Sequence, residues 1–139
     1  MEGVGWLLGC RVGMAGFGRV VLIKRLLGEA EGCLAKGDPV QGPEKLYKVA
    51  EECVKALAER FKLEEVKEAE GRGRWTVTLL EKAVGRLVDK LGMDVELGWV
   101  EANYLHVWGF HEVKLDVNDV KRRIPMIRKL VELTEECWA

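Results

Sequence analysis

The sequence predicts an all-α protein, an antiparallel bundle of about five helices, and three observations carry the bundle. Apolar residues recur at spacings of three and four through successive stretches between Arg19 and Cys137. No stretch alternates convincingly at period two, as a half-buried strand would. The breaks between the periodic stretches are short and hold glycine, aspartate and proline, residues that end one helix and begin the next.

Residues 1 to 18 contain six glycines among Val, Leu and Trp, which gives no period, so they read as a poorly ordered glycine-rich arm preceding one domain over 19–139. The run Leu7-Leu8-Gly9-Cys10 has no Lys or Arg before it and too short an apolar stretch for a signal peptide. Arg11, Arg19 and Lys24 argue against a membrane span. Gly13, Gly16 and Gly18 follow no strand and stand in the wrong order for a dinucleotide fingerprint, so no cofactor is expected. A start at Met14 would remove most of this oddity.

The first helix runs from Arg19 to Lys36 on Ile23, Leu26, Leu27, Ala30, Cys33 and Leu34. Gly28 and Gly32 weaken it by roughly 1 kcal/mol each relative to alanine, and close approach of a neighbouring helix is the expected compensation. Gly37 ends it in the left-handed conformation, Asp38 caps the next helix, and Pro39 or Pro43 begins its regular part. That second helix continues through Leu46, Ala50, Cys53, Val54, Leu57 and Phe61. Lys62 to Arg74 is charged and closes Gly71-Arg72-Gly73-Arg74, which reads as a solvated linker. The helical period resumes from Trp75 to Leu91, and Gly92 closes it.

Asp94 to Glu112 holds both histidines, two of the five tryptophans and a tyrosine in nineteen residues. Asp94 reads as its cap. At 100° per residue this helix is apolar almost all round, so neighbours or a partner chain should cover it. Asp116 and Asp119 then start a last helix through about Cys137, and Pro125 inside it should kink it.

Charge is balanced, with 22 Lys and Arg against 23 Asp and Glu, so neither nucleic acid nor a solvating acidic tail is indicated by the total. Serine is absent and Glu outnumbers Asp 18 to 5, a bias of thermophilic character. Cys10, Cys33, Cys53 and Cys137 lack CxxC spacing, which argues against thiolate zinc and for buried free thiols. A disulfide stays open, since intracellular hyperthermophile proteins do form them. A Cys33 to Cys53 bridge is not expected, because the hairpin offsets the two by about 16 Å at helical rise.

The candidate site residues lie in the His-rich helix: Glu101, Asn103, His106, His111 and Glu112 are the polar groups whose burial would demand partners. His106 and His111, five apart, fall about 140° apart on an α-helix and cannot readily share a metal ion, so no metal is expected. His106 reads as a buried, hydrogen-bonded imidazole with Asn103 and Phe110 beside it; catalysis by His106 or His111 is the competing reading. Glu101 and Glu112 share a face about 16 Å apart, too far for paired-carboxylate chemistry. Lys114, Lys121, Arg122, Arg123, Arg128 and Lys129 oppose only Asp116 and Asp119 over residues 114 to 129. They form a candidate anion or RNA patch, or simply a solvated helix face without interleaved aromatics.

The run Ala35-Lys36-Gly37-Asp38-Pro39-Val40-Gln41, with Glu44-Lys45-Leu46-Tyr47-Lys48 and Ala50-Glu51-Glu52, and the later block Leu105-His106-Val107-Trp108-Gly109-Phe110-His111-Glu112, resemble the archaeal PaREP family over about residues 19 to 135. That family resembles the HEPN helical bundles, many of which dimerise and act as ribonucleases or as companions of small nucleotidyltransferases. The resemblance implies a homodimer in the cytoplasm, with a protein partner such as a nucleotidyltransferase, or RNA. The HEPN ribonuclease signature, an arginine followed after four to six intervening residues by a histidine, is absent before both His106 and His111. The expectation is therefore a non-enzymatic self-associating module, with a HEPN-type ribonuclease as the alternative.

Overall fold

The computed structural model describes residues 16–139. Seven α-helices and one π-helical segment follow each other with no strand among the described residues: α1 Gly16–Ala35, α2 Gln41–Arg60, α3 Glu64–Arg72, α4 Val77–Leu91, α5 Met93–Tyr104, the π segment Leu105–His111, α6 Val117–Lys121 and α7 Ile124–Cys137. The all-α bundle is thus as the periodicity predicts. Apart from its last three residues, Gly16 to Gly18, which begin α1, the N-terminal arm lies outside the described residues, as does Cys10.

The helix surrounded on all sides is α2. Its Leu46, Val49, Ala50, Cys53, Val54, Ala56, Leu57 and Ala58 are all inaccessible to solvent, and it packs on α1, α3, α4, α5, the π segment and α7. Small side chains at Ala50, Ala56 and Ala58 suit a helix crossed by so many neighbours. The close approaches occur at other glycines than expected. Gly28 and Gly32 face open space, whereas a Cβ at Gly98 would come within 3.0 Å of Leu130 Cβ and 3.1 Å of the Met126 carbonyl oxygen, where α5 crosses α7.

Helix ends follow local chemistry. Gly37, at φ 81°, closes α1 while the Asp38 amide bonds back to the Cys33 carbonyl, the six-to-one bond of a glycine C-terminal motif. Asp38 does cap α2, but from upstream: its Oδ1 accepts from the amides of Val40 and Gln41, and Val40, not Asp38, precedes the first helical residue. Those two amides hold the Asp38 carboxyl below its ordinary pKa. Thr76 caps α4 through the Leu79 amide, and Gly92 closes it at φ 96°. Asp116 and Asp119 form the reciprocal capping box of α6.

Three local expectations are corrected. The charged stretch after Lys62 is not all linker, since Glu64–Arg72 is helical and buries Glu65 and Ala69; Arg86 Nε donates to Glu65 Oε2 at 3.0 Å, so charge here marks an ion pair to α4. Gly92 precedes α5, and Asp94 lies within its first turn without a capping bond. Pro125 does not kink one long helix: the chain breaks at Arg122 and Arg123, and Pro125 sits in the first turn of α7, where its missing amide costs nothing.

Candidate functional site

The π segment reorganises the histidines. An α-helix separates residues five apart around its axis, but i→i+5 bonding brings them back to one side. The Glu112 amide bonds to the Val107 carbonyl at 2.8 Å, five residues back. His106 Nε2 and His111 Nε2 consequently lie 3.2 Å apart, with the rings edge to face. The expectation that these imidazoles point apart, which rested on 100° per residue, is overturned.

His106 is then tied to α2. Its Nδ1 lies 3.2 Å from Glu44 Oε1, and its ring stacks on Tyr47 at 4.1 Å between centroids and on Phe110 at 6.1 Å. A carboxylate oxygen only accepts, so His106 donates Nδ1–H to Glu44, and in its neutral form it presents Nε2 as acceptor to the Nε2–H of His111. Gly109 lets the segment seat on α2, since a Cβ there would fall 2.7 Å from Pro43 Cγ. At the far end Val113 takes φ 54°, a left-handed conformation disfavoured for a β-branched residue, and such strain gathers at functional segments.

The surroundings are acidic. Glu44 pairs loosely with Lys48 at 3.9 Å and Glu51 with Lys55 at 3.8 Å, and Glu112 adjoins His111. Burial first, with Lys55 opposing it, raises the pKa of Glu51. Burial and then the negative charges of Glu51 and Glu44 push the Tyr47 hydroxyl up to about 12, so Tyr47 serves here as a neutral stacking surface.

The other candidate residues are not drawn into this cluster. Asn103 Nδ2 donates to the Trp99 carbonyl at 2.8 Å rather than serving His106. Glu101 accepts from Arg123 Nη1 at 2.5 Å, with the Arg123 guanidinium 3.8 Å above the Tyr104 ring. Of the six basic residues, Arg123, Arg122 and Arg128 are paired with Glu101, Asp119 and Glu31, while Lys114, Lys121 and Lys129 stand exposed. Half the patch is therefore neutralised in place. Glu44 and Tyr47 were the site residues hardest to find, because they lie 62 and 59 positions before His106; their only signal was the spacing of Glu44, Tyr47 and Glu51 along one face of a helix.

A second surface lies on α5. Val95, Gly98, Trp99 and Ala102 face the core, with Trp99 tilted against Tyr47 and its Nε1 donating to Glu81. Met93, Leu97, Val100, Tyr104 and Trp108 face outward and are between 38% and 55% exposed. Neighbours within the chain cover one side of this apolar helix only.

The molecule is thus a small all-α bundle whose central helix α2 receives a π-helical turn bearing two touching imidazoles. The chain belongs to the archaeal PaREP1/PaREP8 family, whose model matches residues 18–131. It is also similar to a Sulfolobus solfataricus protein of known crystal structure, at 37% identity and a TM-score of 0.77, over 84% of this chain and 96% of that one. Comparison with curated proteins finds no match. Among the described residues no helix is long and apolar enough to cross a membrane, and Cys33, Cys53 and Cys137 are free thiols.

Proposed function

We propose that the protein is a self-associating helical module in which two copies pack the outer face of α5 against each other in antiparallel fashion. The observation that carries this is the exposed row Met93, Leu97, Val100 and Tyr104 of α5, spaced by four, three and four residues and continued by Trp108 on the π segment. That is the spacing of an interhelical seam, and a contiguous apolar patch of this kind marks an interaction surface. Charge favours a second copy as the occupant. Asp94 and Glu96 lie in the first turn of α5, while Lys114, whose amide bonds to the Trp108 carbonyl, and the exposed Lys121 lie beyond the other end. Antiparallel packing brings Asp94 and Glu96 of each copy toward the Lys114 end of the other, where the exposed Glu112 also lies, as a two-fold axis requires.

The alternative, a HEPN-type ribonuclease using His106 or His111, has the Glu44-oriented imidazole in its favour. Against it, no arginine stands in the signature window before either histidine, and the Glu44 carboxylate beside His106 disfavours a phosphodiester. Sedimentation velocity tests the proposal. The wild-type chain should form a species twice 15.7 kDa at micromolar concentration, and Leu97→Glu and Trp108→Glu should each return it to monomer. A monomer at every concentration, or a dimer that survives both substitutions, overturns the reading. Cleavage of mixed single-stranded and transfer RNA, abolished by His106→Ala and by His111→Ala, would decide for the alternative, and a heterologous protein or RNA needed for assembly would displace the second copy as occupant.

A further inference from the structure

The two touching imidazoles have the geometry of a metal chelate. A tetrahedral ion with metal–nitrogen bonds of about 2.0–2.1 Å holds two ligand nitrogens about 3.3 Å apart, and His106 Nε2 and His111 Nε2 are 3.2 Å apart. We propose that His106 and His111 bind one divalent transition-metal ion of the zinc, copper or nickel type through these two nitrogens, with Glu44 as the positioning carboxylate.

Glu44 accepts the Nδ1–H of His106 at 3.2 Å, which fixes the tautomer that leaves Nε2 with its lone pair outward; this carboxylate–histidine arrangement is the usual support of a ligating imidazole. Without metal, that lone pair accepts the Nε2–H of His111. The ion takes the place of this shared proton: His111 shifts its proton to Nδ1, and both Nε2 lone pairs turn to the metal. His111 is exposed, so its ring has room to make the small rotation and its Nδ1–H has water to donate to. The stacking of Tyr47 and Phe110 holds the His106 ring in place. The Glu44 carboxylate beside His106 favours a cation, and imidazole nitrogens select transition metals over magnesium or calcium, which seek oxygen. Among the described residues no three His, Cys, Asp or Glu side chains converge on one point. The site therefore offers two protein ligands and leaves the remaining positions to water or an incoming ligand, fewer protein ligands than the three of a usual open zinc site.

The proposal is independent of the dimer. Full-length protein freed of any affinity tag and stripped with a chelator is titrated with Zn²⁺ by calorimetry and with Cu²⁺ by electron paramagnetic resonance. One ion per chain should bind, with nitrogen superhyperfine structure from two imidazoles. His106→Ala and His111→Ala should each weaken binding at least tenfold, and Glu44→Gln, which leaves both ligands in place, about tenfold. His111 is exposed, so His111→Ala tests the site without disturbing the core, and circular dichroism verifies that its helices are intact. Binding unchanged in His111→Ala, or a copper resonance spectrum without superhyperfine structure from two nitrogens, would overturn the proposal by placing the ion elsewhere, for example on Cys137 or Cys33.

Discussion

Arg19 is fully buried and donates to Glu52 at 2.6 Å and to Glu59 at 3.1 Å, yet Glu59 is not held ionised by it. Burial outweighs the attraction of Arg19 and raises Glu59 from 4.5 to about 7, and its Oε1 has no partner. Ionisation of Glu59 is thus harder in the folded chain than in the unfolded one. For an acid whose pKa rises on folding, its contribution to stability is full below the unfolded value near 4.5 and is lost as pH climbs through about 7. Glu59→Gln, which keeps an oxygen to accept from Arg19, should flatten the dependence of melting temperature on pH across that window and make the chain more stable than wild type above it. A variant whose melting curve keeps the wild-type slope would show that Arg19 does hold the charge. The residues legible from sequence are those whose role is local: Gly37, Gly92, Asp116 and Asp119 act within a few positions of themselves. Glu44, Tyr47 and Arg19 act on partners 33 to 62 positions away, and nothing in their neighbourhoods announces it.

Most helices were legible as elements because an apolar face of period 3.6 persists whatever it packs against. The π segment was not, since a fixed 100° step assumes the bonding pattern it replaces, and that one assumption separated His106 from His111. The short α3 was hidden for another reason: it fully buries only Glu65 and Ala69 and packs Val66 partly on the core, too few apolar positions to show a period. Close packing was misplaced too. Sequence shows that a glycine is present but not what lies opposite, so Gly28 and Gly32 drew attention that belongs to Gly98, Gly109 and Gly42. At Gly98 the opposing atoms include the backbone oxygen of Met126 at 3.1 Å, which cannot move aside as a side-chain tip can. Gly98→Ala should therefore destabilise the protein by about 1–3 kcal/mol in urea denaturation, whereas Gly28→Ala, facing open space in a helix, should stabilise it slightly. Equal effects at the two positions would mean that α5 and α7 do not cross as closely as described.

At the scale of the whole molecule, the bundle satisfies α2 and leaves α5 half covered. The sequence shows that Asp94 to Glu112 is apolar nearly all round; it does not show which side α2, α4 and α7 take. They take Val95, Trp99, Ala102 and Leu105, and leave Met93, Leu97, Val100, Tyr104 and Trp108 exposed, the row on which the proposed second copy would pack. Antiparallel packing of that row about a two-fold axis has a specific geometry, because the axis passes through its middle, at Val100. Residues at the axis meet themselves. Met93, seven residues away, would stand about 21 Å from its counterpart at helical rise, far beyond disulfide reach. Mild oxidation of the Val100→Cys variant, read as a mapped crosslink between the two introduced thiols in a non-reducing digest against the wild-type chain as baseline, tests this most directly. The account predicts rapid self-crosslinking of Val100→Cys and none between the introduced thiols of Met93→Cys. Met93→Cys linking to itself while Val100→Cys does not would contradict the antiparallel seam, and failure of both would contradict the α5 interface altogether.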